Sequence, residues 1–170
     1  MNGKQRILNA LKGKPGSVLG SAPGRVNLIG EHTDYNGGLV LPIAIDARTY
    51  VGFCPDSSAS EMTVHALDWN QETLSVPLQG PYAAIEGGGW RNYVLGVLAG
   101  LKGKGVVPQS GSLYISGDVP QGAGLSSSAS LEVALITMLA HLNDAELTPL
   151  EIAQIGQAAE HTHAGCACGL

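Results

Sequence analysis

The sequence predicts a single α+β unit in which strands come first and helices follow. Short runs of β-branched and aliphatic residues fill the first half of the chain, and apolar residues recur at helical spacing in the second half. With 44% hydrophobic and only 14% charged residues, the chain has the composition of a packed globule. Neither an internal repeat nor a long linker divides the 170 residues, so one layered unit is expected.

The strands are predicted from clusters of β-branched and aliphatic residues that lie between turn residues. A short amphipathic helix within residues 1–16 precedes them, because Lys and Arg alternate there with apolar residues. Asp46 and Ala47 separate two of the predicted strands, and three glycines at 87–89 mark a loop. The predicted strands are 25–29, 40–45, 48–53, 61–66, 72–78 and 112–116.

Three helices are predicted in the second half of the chain. The large apolar side chains of residues 90–101 recur at helical spacing. Apolar residues between positions 131 and 142 recur at the spacing of one face of a long helix. Thr148 to Glu151 is a capping box with proline at the first helical position. A final helix is therefore expected to begin at Thr148 and to reach about Thr162.

Charge and cysteine content exclude several classes of protein. The net charge of −5 leaves no broad basic face for nucleic acid. No stretch reaches the roughly 18 apolar residues of a membrane span, and the N-terminus lacks the apolar core of a signal peptide. The three cysteines are an odd number, and Cys166 and Cys168 are too close to staple distant segments. We expect a cytoplasmic protein with no nucleic-acid or membrane partner.

A glycine-rich and serine-rich loop opens the long helix and is a candidate anion site. Glycines allow backbone amides to approach a polyphosphate, and a helix N-terminus adds unpaired N–H groups and partial positive charge. An ordinary serine cap after a flexible turn is the alternative interpretation. The loop residues are Pro120, Gln121, Gly122, Ala123, Gly124, Leu125, Ser126, Ser127 and Ser128.

Two common phosphate-binding loops do not fit this segment. It lacks the Gly-Lys-Ser/Thr of a P-loop and the third glycine of the dinucleotide fingerprint. Asp144 has the spacing of a ribose-binding acid, but an uninterrupted helix places it at a helix end and not at a strand tip.

Residues 22–38 concentrate polar groups in a chain that is otherwise poor in charge. Arg25, Glu31, His32 and Asp34 lie there between apolar strands. Carboxylates and an imidazole at short spacing suit a pocket that grips sugar hydroxyls by directed hydrogen bonds. A solvated turn is the alternative, because Asp, Asn and Gly are turn residues.

Two segments carry a resemblance to a known family. GRVNLIGEHTDYN at residues 24–36 resembles the galactokinase signature, and PQGAGLSSSA at 120–129 is similar to the second motif of the GHMP kinase superfamily. WRNYV at 90–94 is also similar, although relatives usually have Ala in place of Arg91. The similarity extends from about Ala22 to the last residue.

The resemblance implies an ATP-dependent, Mg²⁺-dependent kinase that converts α-D-galactose to galactose 1-phosphate at the C1 hydroxyl. The implied fold is that of a GHMP kinase N-terminal domain, similar to the second domain of ribosomal protein S5. The residues implied to hold the sugar are Glu31, His32, Asp34 and Gly169.

The resemblance also assigns groups to the phosphoryl transfer. Arg25 is implied to stabilise the transition state with its fixed charge, and the 120–128 loop to wrap the ATP phosphates. Ser128 and Glu160 would hold Mg²⁺, and Trp90 would flank the adenine. Helical spacing places Glu160 at the edge of an apolar stripe, as suits a half-buried ligand; a solvated helix glutamate is the alternative.

The domain hypothesis is an incomplete GHMP kinase N-terminal domain over residues 1–170. Residues 1–16 form the N-terminal helical segment and 22–170 the family-like region, with the C-terminal GHMP domain absent. Cys168-Gly169-Leu170 resembles the start of a family segment whose Asp is the proposed catalytic base, and the chain stops before that Asp. This polypeptide alone is therefore expected to be inactive as a kinase.

Three other functions remain open at this point. A kinase for N-acetylgalactosamine would share the signature, and a sensor would bind galactose and ATP without turnover. The third is a zinc module at residues 161–168, where two histidines and two cysteines occur within eight residues, although at tighter spacing than usual.

Overall fold

The computed structural model describes residues 1–30, Thr33 and residues 37–169. Its elements follow the predicted order, in which a helix begins the chain, another helix separates the last strand from the earlier ones, and two helices come at the end. The elements are α1 (Gly3–Leu11), β1 (Val18–Asn27), β2 (Pro42–Pro55), β3 (Glu61–Ala66), β4 (Glu72–Pro77), α2 (Trp90–Lys102), β5 (Gly111–Gly117), α3 (Ser127–Leu142) and α4 (Pro149–Ala159), with a π-helical turn at Glu160–Ala164.

The five strands form one sheet in the order β1-β2-β5-β3-β4. The neighbours are antiparallel except for β3 and β5, which are parallel. A parallel pair needs a crossover connection, and α2 supplies it between β4 and β5. The last strand in the sequence therefore occupies the middle of the sheet.

Helices cover both faces of the sheet. Gly20 of β1 lies against Met138 of α3, whereas Gly52 of β2 lies against Ile7 of α1. Gly20 is paired with Val51, the residue before Gly52, and neighbouring side chains point to opposite faces. Consequently α3 and α1 pack on opposite sides, and the apolar core lies mainly under α2 and α3. Its largest fully buried side chains are Phe53, Met62, Leu98, Leu101, Leu113, Ile115, Leu135, Ile136, Met138 and Leu139.

The prediction of two strands at 40–45 and 48–53 is wrong, because the structure has one continuous strand, β2. Pro23 of β1 is paired with Arg48, whereas Arg25 is paired with Ala44. The residues between Ala44 and Arg48 are thus accommodated as a bulge, which bends the strand without ending it. Turn-type residues in a paired strand have the same local pattern as a true turn.

The final helix begins as predicted. Thr148 Oγ1 accepts a bond from the Glu151 amide at 3.3 Å, and the Glu151 carboxylate accepts one from the Thr148 amide at 2.9 Å. The α-helix ends at Ala159, and the π-helical turn continues it to Ala164. Among the described residues, no helix is long and apolar enough to cross a membrane.

Candidate active site

The glycine-rich loop connects β5 to α3 in the way the sequence predicts. Gly122 and Gly124 have φ values of 68° and 70°, in the left-handed region that L side chains rarely adopt. Ser126 is also left-handed, and its side chain makes no cap bond at the start of α3. The alternative interpretation, an ordinary serine cap, is thus not what the structure shows, and no side chain of Ser126 caps the first amides of α3, which can therefore receive an anion.

The first strand is fastened to this loop. The Arg25 amide donates to the Leu125 carbonyl oxygen at 3.0 Å. A Cβ added at Gly24 would lie 2.8 Å from the same carbonyl oxygen, so only glycine permits this approach. This contact places the segment that begins at Gly24 beside the glycine-rich loop.

Both segments line one hollow of about 1060 Å³. Arg25 and Asn27 enter it from β1, and the glycine-rich loop and the start of α3 form another wall. The predicted site residues that line it are Arg25, Trp90, Gln121, Gly122, Gly124, Leu125, Ser126, Ser127, Ser128, Glu160 and Gly169. Pro120 and Ala123 belong to the loop but do not line the hollow. Glu31, His32 and Asp34 lie outside the described residues.

The predicted metal ligands meet across α3 and α4. Ser128 Oγ donates to Glu160 Oε1 at 2.5 Å. Glu160 is only 6% exposed, which excludes the alternative of a solvated helix glutamate. Its Oε2 has no hydrogen-bond partner among the described residues. A hydroxyl and a carboxylate with a free buried oxygen form a donor set that fits Mg²⁺.

Family models match two parts of the chain. Residues 9–55 match the galactokinase galactose-binding signature, and residues 92–170 match the GHMP kinase N-terminal domain. The chain belongs to the GHMP kinases. The predicted α+β fold of a GHMP kinase N-terminal domain is confirmed.

Solved structures support the same family. Lactococcus lactis galactokinase, solved in complex with galactose, is 32% identical with a TM-score of 0.85 over 97% of this chain. Methanococcus jannaschii mevalonate kinase is 25% identical with a TM-score of 0.77 over 90% of this chain. The GHMP kinase chain described here spans 42% of the length of the galactokinase and 49% of that of the mevalonate kinase.

In this GHMP kinase chain, Trp90 lines the hollow but is largely buried. The side chain is 5% exposed, and its Nε1 donates to Glu72 Oε2 at 2.9 Å. The Arg91 guanidinium lies over the indole at 5.0 Å from the ring centroid and pairs with the same Glu72. Trp69, half-buried in the wall of the hollow, lies 6.3 Å from Trp90 between ring centroids. Arg91 therefore covers part of the surface around Trp90.

The histidine and cysteine cluster of this kinase chain gives the zinc hypothesis no support. His163 Nε2 lies 2.8 Å from the Tyr82 carbonyl oxygen, and His161 Nε2 lies 3.0 Å from the Cys168 carbonyl oxygen. Within residues 1–30, 33 and 37–169, no three His, Cys, Asp or Glu side chains are grouped to hold a metal ion.

Sequence reasoning missed a buried acid in the wall of the hollow, Glu132 of α3. It is 1% exposed, and its Oε1 has no hydrogen-bond partner within the described part of the chain. Burial, and then the nearby charge of Glu160, raise the pKa of Glu132 to about 9. A signal was present, because Glu132 follows Ser128 by four residues and so lies on the same side of α3.

The raised pKa of Glu132 predicts a pH-dependent stability. Between about pH 4.5 and pH 9 the folded chain keeps a proton on Glu132 that the unfolded chain has lost. The free energy of unfolding should therefore fall by about 1.4 kcal/mol per pH unit from this group as the pH rises. Glu132→Gln cannot titrate, so its stability relative to the wild type should increase with pH.

Urea unfolding of both proteins from pH 5.5 to pH 8.5 measures this difference. Tyr93 and Glu160 also border the hollow, and both are present in the two proteins. Glu146→Gln, at an exposed position, is the control and should leave the slope unchanged. A constant difference between wild type and Glu132→Gln would show that Glu132 is already ionised in the folded chain.

Proposed function

We propose that this chain provides the phosphate-binding and sugar-binding surfaces for ATP-dependent phosphorylation of the C1 hydroxyl of α-D-galactose. The observation that carries the proposal is the hollow shared by Arg25 and the loop at residues 121–128. Phosphoryl transfer needs the hydroxyl and the phosphate held side by side, and this arrangement supports that geometry. The galactokinase signature match and the galactose complex of the similar Lactococcus lactis enzyme support galactose as the sugar.

Each group has a proposed role in this reaction. The loop amides and serine hydroxyls hold the ATP phosphates at the N-terminus of α3. Ser128 and Glu160 hold Mg²⁺, which when bound neutralises phosphate charge. The Arg25 guanidinium stabilises charge that develops on the transferring phosphoryl group.

The remaining roles rest on the signature and the walls of the hollow. Glu31, His32, Asp34 and Gly169 are proposed to hold the sugar hydroxyls. Trp90 is proposed to border the adenine through its edge, because Arg91 covers one of its faces. We place the reaction in the cytoplasm, in carbohydrate metabolism, with residues 22–170 as the N-terminal domain of the kinase.

Ligand binding tests the proposal without requiring turnover. In calorimetric titrations of the purified chain, galactose and an ATP analogue with Mg²⁺ are both expected to bind. Glucose, the C4 epimer, should bind at least about tenfold more weakly, since a hydroxyl in the wrong position leaves buried polar groups unpaired.

Two results would contradict the assignment. A preference for N-acetylgalactosamine over galactose would assign the chain to a different sugar kinase. Absence of nucleotide binding would remove the kinase proposal altogether, whatever the sugar result.

A further inference from the structure

Two buried acids lie on facing helices in the wall of the hollow. Glu132 of α3 is 1% exposed, and Glu160, at the end of α4, is 6% exposed. Each keeps one carboxyl oxygen, Glu132 Oε1 and Glu160 Oε2, that has no hydrogen-bond partner among residues the structure describes. Buried polar atoms in folded proteins are nearly always paired, so these two oxygens indicate a binding partner other than the described residues.

The packing of α3 against α4 sets the positions of both acids. Near the start of α3, Ser128 donates a hydrogen bond to Glu160. One turn further along α3, Glu132 lies opposite Gly156, which is one turn before Glu160 on α4. A Cβ added at Gly156 would come within 3.5 Å of Glu132 Oε2, so the carboxyl group rests on the glycine. Glu132 is thus held one helical turn from the Ser128–Glu160 pair.

No described residue forms a hydrogen bond with Glu132 Oε1 that would explain a carboxyl group at this position. On the same helix, Leu131, Ala134, Leu135 and Ile136 are buried and apolar. An apolar side chain at position 132 would bury without the cost of desolvating a carboxyl. A glutamate at this position is therefore better explained by a ligand than by packing.

We propose that Glu132 is a positioning residue of the divalent-cation site formed by Ser128 and Glu160, with its Oε1 as an outer acceptor for the hydrated ion. This inference rests on the proposed kinase function, in which that cation accompanies the nucleotide. Mg²⁺ usually keeps several of its waters, and these need acceptors from the protein. Such outer contacts orient the ion and strengthen its binding even though they do not touch it directly.

Burial of Glu132 fits this role. A buried carboxyl group keeps one oxygen available as a hydrogen-bond acceptor whether or not the group carries a proton. The amide oxygen of glutamine can serve as the same kind of acceptor, whereas leucine cannot. The two substitutions therefore separate hydrogen bonding from mere occupation of space.

The test compares nucleotide affinity with and without the divalent cation. A non-hydrolysable ATP analogue is titrated into wild type, Glu132→Leu and Glu132→Gln, once with Mg²⁺ and once with EDTA. In Glu132→Leu, the factor by which Mg²⁺ increases the affinity for the analogue is expected to be about tenfold smaller than in wild type. The affinity measured in EDTA is expected to be unchanged. Glu132→Gln should keep most of the gain. Ile136→Val, a buried change on α3 that does not line the hollow, is the matched control and should keep all of it.

If folded Glu132→Leu shows the same increase in affinity with Mg²⁺ as wild type, the inference is overturned. Loss in both the Leu and the Gln variants would also count against it, because the amide oxygen of glutamine can act as the same kind of acceptor. A second readout does not depend on the Leu variant folding: the electron spin resonance spectrum of Mn²⁺ with the analogue should change in Glu132→Gln, and an identical spectrum would count against a contact with the hydrated ion.

The proposed function fails in a distinguishable way. If wild type binds the analogue equally with Mg²⁺ and EDTA, the cation site itself is absent. If wild type does not bind the analogue at all, the kinase proposal fails. Both results are read from wild type alone, whereas the role of Glu132 is read from the variants.

Discussion

Replacing Glu160 with glutamine should remove most of the nucleotide affinity that depends on Mg²⁺, a loss of about 100-fold in that contribution. The Glu160 carboxylate supplies the negative charge of the proposed Ser128–Glu160 metal site. Without it, only the neutral Ser128 Oγ, which lies 2.5 Å from Glu160 Oε1, remains as a ligand. Loss of a direct ligand should lie at the upper end of the 10-fold to 100-fold range typical of outer contacts. Calorimetric titration of the ATP analogue with Mg²⁺ and with EDTA measures the effect.

Glu146→Gln is the matched control for this experiment. Glu146 is exposed and lies outside the hollow, so the same loss of charge there should leave the Mg²⁺ gain intact. If the two glutamine variants bind the analogue alike, Glu160 is not a metal ligand, and its partnership with Ser128 is structural.

The largest expected effect on stability comes from Gly96→Val. A Cβ at position 96 of α2 would lie 2.7 Å from the Ala159 Cβ and 2.9 Å from the Ala159 Cα of α4. Backbone cannot move aside as a flexible side chain can, so α2 and α4 would have to separate. We expect a loss of about 3 kcal/mol in the free energy of unfolding, measured by urea denaturation.

Gly103→Val separates this steric effect from the general cost of a β-branched residue near a helix end. Gly103 is exposed, its φ is −65°, and its nearest neighbour to an added Cβ is the Gly100 carbonyl oxygen at 3.6 Å. That variant should lose less than about 1 kcal/mol. Equal losses at the two positions would mean that the α2–α4 contact is not tightly packed.

Local sequence patterns predicted those elements whose own residues carry a regular pattern or a cap. The alternation in β3 gave its bounds, Glu61–Ala66, and the capping box gave the start of α4. The break at Asp46-Ala47 was wrong because a bulge in a paired strand and a turn share the same residue types. Only pairing with β1, which is distant in sequence, decides between them.

The candidate site was predictable in its motifs but not in its buried neighbours. The loop at 120–128 and the segment after Gly24 are contiguous in sequence, so both could be found there. Glu132 becomes a site residue only because α4 presents Gly156 opposite it, and this is a tertiary contact. The limited accessibility of Trp90 likewise depends on Glu72, a residue from another element.

The place of β5 in the middle of the sheet affects how the protein can form during synthesis. The hairpins β1–β2 and β3–β4 are each local in sequence, but nothing joins them into one sheet until β5 pairs with both β2 and β3. A nascent chain must therefore extend past Gly117 from the ribosome before these two halves can unite, and until then each exposes an unpaired strand edge.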